Sequence, residues 1–184
     1  MTSTNVHDLA RAAGIVPDLV DSIAPSPTVV RMSFGGAGVA ENGRFLTPEE
    51  AASAPAVEIG GPPGSWVLLM FDPDVPSPED PARRAIVHWI VNGVSGDADA
   101  GRTLATYRGP NPPSGSPPHR YILLAWRRDP GTSDAASWEP TAGGKDREHF
   151  DVRANRDHFD VREWARANGL GAPDGLTWFV SGRD

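Results

Sequence analysis

The stretch Asp72-Pro73-Asp74-Val75-Pro76-Ser77-Pro78-Glu79-Asp80-Pro81 decides how the rest of the chain is read. It holds four prolines and four carboxylates in ten residues, directly after the apolar run Trp66 to Phe71. That order describes a buried strand ending in a stiff, acidic turn. A second stretch answers it: Gly109-Pro110-Asn111-Pro112-Pro113-Ser114-Gly115-Ser116-Pro117-Pro118, followed at once by His119-Arg120-Tyr121. Five prolines in ten residues leave this loop little conformational freedom to lose on folding. Gly109, Asn111, Ser114, Gly115 and Ser116 keep their backbone N–H groups, which a stiff Gly-containing loop can turn into a nest for an anion.

Between the two stretches lies Ala85-Ile86-Val87-His88-Trp89-Ile90-Val91-Asn92. Strand alternation places His88 on one face with Ile86 and Ile90. An imidazole in an apolar row is either a satisfied core histidine or a site residue, and the same holds for His119 at the head of its own apolar run. Two histidines on strands beside Pro-rich loops, with carboxylates at a strand end, suit a small anion. The imidazoles donate hydrogen bonds, loop N–H groups complete the shell, and Asp72 or Asp74 orients one histidine or holds it protonated.

Further out, Asn5 caps a short helix over residues 5–13 with Gly14 at its end, and Thr47-Pro48-Glu49-Glu50 reads as a helix start. Strands are expected at Thr28–Phe34, Val57–Ile59, Trp66–Phe71, Ala85–Val94, Tyr121–Arg127 and Leu176–Val180. The run at Tyr121 is that of a central strand buried on both faces. Asp157 to Asn168 reads as the clearest helix, with Asp157 as cap and Gly169 as stop. Grouped strands without βαβ alternation predict a mainly β fold, an antiparallel sandwich with a few short peripheral helices, in a single domain spanning 1–184.

Composition narrows the function. Net charge is −7, from 17 basic and 24 acidic residues, which argues against nucleic acid as a partner. No cysteine is present, so disulfides and thiolate metal sites are excluded. The N-terminus has no basic and apolar signal pattern, and no apolar run is long enough to form a transmembrane segment; the expectation is a cytoplasmic protein without a cofactor.

The motif residues resemble the phosphatidylethanolamine-binding protein family, whose members include Raf-kinase-inhibitor-like proteins. Asp72 to Ser77 is similar to the family's D-P-D-x-P-x signature, which Asp80-Pro81, Arg84 and His88-Trp89 continue. Gly109 to Tyr121 is similar to its second signature, a Gly/Pro loop ending in H-R-[YF]. Weaker similarity reaches from about residue 8 to 180, through Ala13 to Asp18, Asn42-Gly43, Leu46-Thr47-Pro48 and the segment from Phe159 to Pro173, and favours the eukaryote-like branch. The resemblance implies a sandwich of antiparallel sheets and a small surface cavity for phosphate or a phosphorylated head group such as phosphatidylethanolamine's. It implies a ligand shell of Asp72, Asp74, Pro76, His88, Gly109, Pro112, His119 and Tyr121, and a cis bond at Val75-Pro76. It also implies action by binding, as an inhibitor of a kinase or a serine protease.

Arg83 departs from the family, standing where a tyrosine often lines the cavity; its guanidinium either strengthens anion binding or points to solvent. Asn111 and Pro117 replace frequent glycines. A gating C-terminal helix has no counterpart in a sequence that stops at Asp184. A different class of function remains: a hydrolase or metal-dependent enzyme using His88, His119 and Asp72. Ser77, Ser114 and Ser116 read as turn residues, and none sits in a nucleophile elbow. Finally, Arg147-Glu148-His149-Phe150-Asp151-Val152-Arg153 recurs nine residues later as Arg156-Asp157-His158-Phe159-Asp160-Val161-Arg162. It reads as a tandem duplication in a loop or as a surface that contacts a partner, and Trp138 reads as a core-rim or interface residue.

Overall fold

In the computed structural model, which describes residues 5–61, 64–95, 101–128 and 156–183, the two apolar runs become neighbouring strands in the middle of one sheet. The first copy of the repeat and Trp138 fall outside the described residues. The elements are α1 (Val6–Ala12), β1 (Val30–Phe34), β2 (Gly38–Ala40), β3 (Arg44–Phe45), β4 (Ala56–Ile59), β5 (Ser65–Asp72), β6 (Ile86–Val94), β7 (Arg102–Ala105), β8 (His119–Arg128), α2 (Val161–Ala167) and β9 (Gly175–Ser181). A six-stranded sheet runs β3-β9-β8-β5-β6-β7, and a three-stranded sheet runs β2-β1-β4. All pairings are antiparallel except β3 with β9.

Both faces of the large sheet are covered, which explains why β5 and β8 are apolar without interruption. Trp66, Leu68 and Met70 of β5, with Tyr121, Leu123 and Ala125 of β8, pack against Val30, Met32, Phe34 and Val57 of the small sheet. Val67, Leu69 and Phe71, with Ile122, Leu124 and Trp126, pack on the opposite side against Ile15, Leu19, Val161 and Trp164. The result is the mainly β sandwich expected from the sequence, with helices on its outer face.

Two local expectations change. The Thr47 segment does form reciprocal capping bonds, Thr47 N–H to Glu50 Oε2 at 2.8 Å and Glu50 N–H to Thr47 Oγ1 at 3.2 Å. It stays a single turn, because Pro55 closes the window for a helix four residues on. The helix expected from Asp157 starts only at Val161, capped by the Asp160 carboxylate on Glu163 N–H at 2.9 Å. Phe159 is held extended by backbone bonds in both directions with Ala85, and Asp157 turns away to Arg83. At the other end Gly169 adopts φ +66°, as a helix stop requires. The strands β2, β3 and β7, two to four residues each, carry too little pattern to be read from sequence.

A third correction concerns β6. The β5–β6 register slips between Met70↔Trp89 and Phe71↔Val87, so His88 is an extra residue in the ladder. Val87 and Ile90 therefore face the helical side, while His88 keeps company with Ile86 and Trp89 on the other. The simple alternation that grouped His88 with Ile90 fails at this bulge.

Leu124 lies in the fully covered centre of β8. Leu124→Ala is expected to lower stability by about 2–5 kcal/mol in urea unfolding, with an unchanged m-value.

Candidate functional site

At one end of the sandwich, β5 and β8 bring their terminal residues together on the small-sheet face. Asp72 ends β5 and His119 opens β8, both almost fully buried. His119 Nδ1 lies 2.8 Å from Asp72 Oδ2, and the other Asp72 oxygen accepts the Asp74 N–H at 2.8 Å. His119 Nε2 faces the Pro76 carbonyl at 3.2 Å and Ser116 Oγ at 3.0 Å. Burial alone would lower the His119 pKa, but the Asp72 hydrogen bond and charge, helped by Asp74 and the Pro76 carbonyl, outweigh it and raise it. With acceptors at both ring nitrogens, His119 is held toward the imidazolium. The bond at Val75-Pro76 is cis, as are those at Val16-Pro17 and Arg84-Ala85.

His88 is placed differently. Its Nδ1 lies 2.7 Å from the Arg108 carbonyl, which requires an N–H there and leaves Nε2 as the other ring nitrogen. Burial lowers its pKa; the Arg108 carbonyl and Asp72 pull the other way, and Arg108 and Arg156 add to the lowering. The uncharged ring therefore presents a lone pair at Nε2, and a donated hydrogen bond from that atom requires protonation. Tyr121 stands edge-on to His88, ring centres 5.0 Å apart, and stacks on Phe179. The Tyr121 side chain is fully buried, and among the described residues its hydroxyl has no hydrogen-bond partner. It is drawn toward the Asn111 amide and the Asp72 carboxylate, but sits in bonding geometry with neither. Burial pushes its pKa far up, so it remains a donor.

These groups surround a cavity of about 230 Å³, lined by Asp72, Val75, Pro76, Arg83, Ile86, His88, Arg108, Gly109, Asn111, Pro113, His119, Tyr121 and Asp157. Of the nine residues singled out from sequence, Asp72, Pro76, Arg83, His88, Gly109, His119 and Tyr121 meet there. Asp74 and Pro112 do not line it. Asp74 is buried and takes the Arg120 fork on both oxygens, 2.9 and 2.6 Å, while the same guanidinium donates to the Ala13 carbonyl at the end of α1. Pro112 is buried in the loop, and Pro113 faces the cavity instead. Gly109 is needed for close approach, though to protein: a Cβ there would lie 3.0 Å from the Ala51 carbonyl.

Arg83 neither points freely to solvent nor reaches into the cavity alone. It is half-exposed and pairs with Asp157 across the rim. Arg108 and Asp157 were missed by sequence reasoning. Arg108 directly precedes the Gly/Pro loop, a position that could have flagged it; Asp157 was read as a helix cap. The charged lining sets Arg83 and Arg108, with His119 held toward its charged form, beside Asp72 and Asp157. A chain with net charge −7 thus gathers two arginines and two histidines around one pocket. Among the described residues, no group of three or more His, Asp or Glu is arranged to hold a metal ion, and no helix is long and apolar enough to cross a membrane.

The comparisons with known proteins bear on the family and the fold. The family model for "Phosphatidylethanolamine-binding protein" matches residues 33–174. This chain belongs to that family. "CEN-like protein 1" of Nicotiana tabacum is 34% identical over 188 residues, covering 100% of this chain and 97% of its own. "Protein TERMINAL FLOWER 1" of Arabidopsis thaliana is 33% identical over 174 residues, covering 92% and 88%. Among solved structures, a carboxypeptidase Y inhibitor in complex with its cognate proteinase superposes with TM-score 0.74 at 22% identity, covering 96% of this chain and 94% of that one. A phosphatidylethanolamine-binding protein from Plasmodium vivax gives 0.73 at 20%, covering 96% and 97%. These two likenesses establish the fold.

The raised pKa of His119 has a defined consequence for stability. Its contribution is complete below the unfolded value of about 6.5 and is lost as pH rises through the higher folded value. Asp72→Asn is expected to lower stability by about 1.5–3 kcal/mol near pH 6 and to flatten the decline above it. Urea unfolding of both proteins from pH 6 to pH 9 checks this; parallel profiles would mean that the pair does not titrate as described.

Proposed function

We propose that this protein is a non-enzymatic binding module whose cavity takes phosphate or a phosphorylated head group of the phosphatidylethanolamine kind. The observation that carries this reading is the Tyr121 hydroxyl: a buried donor with no partner among the described residues, on a side chain that lines the cavity together with Arg83, Arg108, His88 and His119. A buried hydroxyl left unbonded costs about 1–3 kcal/mol, which a ligand oxygen would recover. Arg83, Arg108 and His88 Nε2, once protonated, supply further donors. Asp72 is engaged by His119 and the Asp74 amide, so its charge is already countered. The volume lies below the roughly 300–1,000 Å³ of drug-sized clefts, which suits a phosphate-sized group rather than a whole lipid.

The binding module is one domain over residues 1–184, works in the cytoplasm, and acts through a protein partner, a kinase or a serine protease. The last point is supported by the fold shared with an inhibitor found in complex with its proteinase. The net charge of −7 disfavours nucleic acid.

An enzyme reading draws on Ser116, His119 and Asp72, which stand in the order of a nucleophile, base and orienting acid. Two features weigh against it. Ser116 Oγ donates to the Pro117 carbonyl at 3.0 Å, and the raised His119 pKa holds the ring toward the protonated form, which has no lone pair to take a serine proton. A metal role for His119 would need a ring lone pair that both acceptors deny it.

Because His88 is held neutral, anion binding through its Nε2 takes up a proton. Calorimetric titration with inorganic phosphate and with O-phosphorylethanolamine is expected to show binding that strengthens below pH 7, with an enthalpy that varies with buffer ionisation. The double variant His88→Ala/His119→Ala should abolish it. No binding by the folded protein at millimolar ligand would overturn the reading.

A further inference from the structure

Arg156, the first residue of the second repeat copy, is 1% exposed. Its guanidinium donates to the Val87 and His88 carbonyls at 3.2 Å each, and to the Thr106 carbonyl and hydroxyl at 2.9 and 3.2 Å. Its Nε has no partner, and among the described residues no carboxylate forms an ion pair with it. A buried guanidinium is ordinarily paired with an acid, because desolvating an uncompensated charge is costly. Among the described residues, only neutral groups receive it, three carbonyls and the Thr106 hydroxyl.

The position of this charge is informative. Arg156 bonds to the carbonyl of His88, which also accepts the Arg108 N–H at 2.9 Å, while the Arg108 carbonyl accepts from His88 Nδ1. The guanidinium therefore lies directly behind the backbone that carries two cavity-lining residues, His88 and Arg108. Burial and the neighbouring Arg108 push its own pKa down to about 10, still well above neutrality. Its field reaches His88, where it adds to the forces that keep the ring uncharged.

We infer that Arg156 is a positioning and specificity residue of the cavity: a buried cation whose counter-charge arrives with the ligand, so that the pocket favours a doubly charged phosphomonoester or phosphate over a singly charged carboxylate. The inference rests on the anion-binding reading and adds to it the charge class of the ligand. In the low-polarity ground behind β6, an extra positive charge is worth more than at the surface, and each additional ligand charge is rewarded by it. The second repeat copy is thereby part of the site through its first residue, without contacting the ligand.

The test combines NMR titration of the His88 ring with calorimetry using inorganic phosphate and acetate, on the wild type, Arg156→Met and Arg156→Lys. In the wild type His88 titrates below 6.5, the ordinary histidine value. Removing the charge in Arg156→Met is expected to raise the His88 pKa and to weaken phosphate at least about tenfold, with a smaller loss for acetate. Arg156→Lys, which keeps the charge and loses the fork, should retain both the depressed His88 and the phosphate preference. A folded Arg156→Met with an unchanged phosphate-to-acetate ratio overturns the inference. If Arg156→Met does not fold, Arg156→Lys decides: loss of the preference in that folded variant overturns it. If the wild type binds neither anion, the anion-binding reading fails by itself. An unshifted His88 titration in Arg156→Met would then show that the charge does not reach the cavity, and overturn the inference separately.

Discussion

The Asp72–His119 pair is the contact on which the site end of the molecule depends. One carboxylate, buried at the end of β5, ties the start of β8 through His119 and the following turn through the Asp74 amide. Neither charge could stay there alone, since an isolated buried carboxylate is strongly penalised. Together they set the spacing of the two central strands at the edge of the cavity. They also draw in the Pro76 carbonyl and Ser116, so that both Pro-rich loops close on one imidazole. Next to this pair, Asp74 and Arg120 fasten the same turn to the end of α1. The loops are stiff because of their prolines, and the two ion pairs fix where the stiff segments end.

The cavity has two histidines in opposite electrical states for reasons visible in their partners. His119 faces acceptors on both sides and is pushed toward the charged form. His88 has one carbonyl partner, no carboxylate bond to offset its burial, and two arginines nearby, so it is pushed toward the neutral form. A fixed positive group and a group that can gain a proton thus sit around one unbonded phenol. Such a pocket is poorly satisfied when empty and well satisfied by an anion, which is the physical content of the binding proposal.

Much of this was legible in the sequence. The apolar runs before the first Pro-rich stretch and after the second marked the central strands, and the motif residues pointed to one end of them. Asp72, His88 and His119 were found because their types are unusual on or beside apolar strands, and Tyr121 because the family resemblance placed it in the ligand shell. What escaped was set by tertiary contacts that leave no local pattern. Asp74 is spent on Arg120, from the opposite strand, rather than on the cavity. His88 owes its direction to a bulge that no alternation rule foresees. Arg156 and Asp157 looked like one copy of a surface repeat, because an arginine and an aspartate in sequence give no sign that one will be buried behind a strand and the other will cross the rim to Arg83.

The most direct measurement is a crystal structure of the protein grown with arsenate, whose arsenic can be located by its anomalous scattering. The account predicts one arsenate in the cavity, with an oxygen at hydrogen-bond distance from the Tyr121 hydroxyl and another at His88 Nε2. An arsenate bound elsewhere, with the Tyr121 hydroxyl still unbonded, would contradict it.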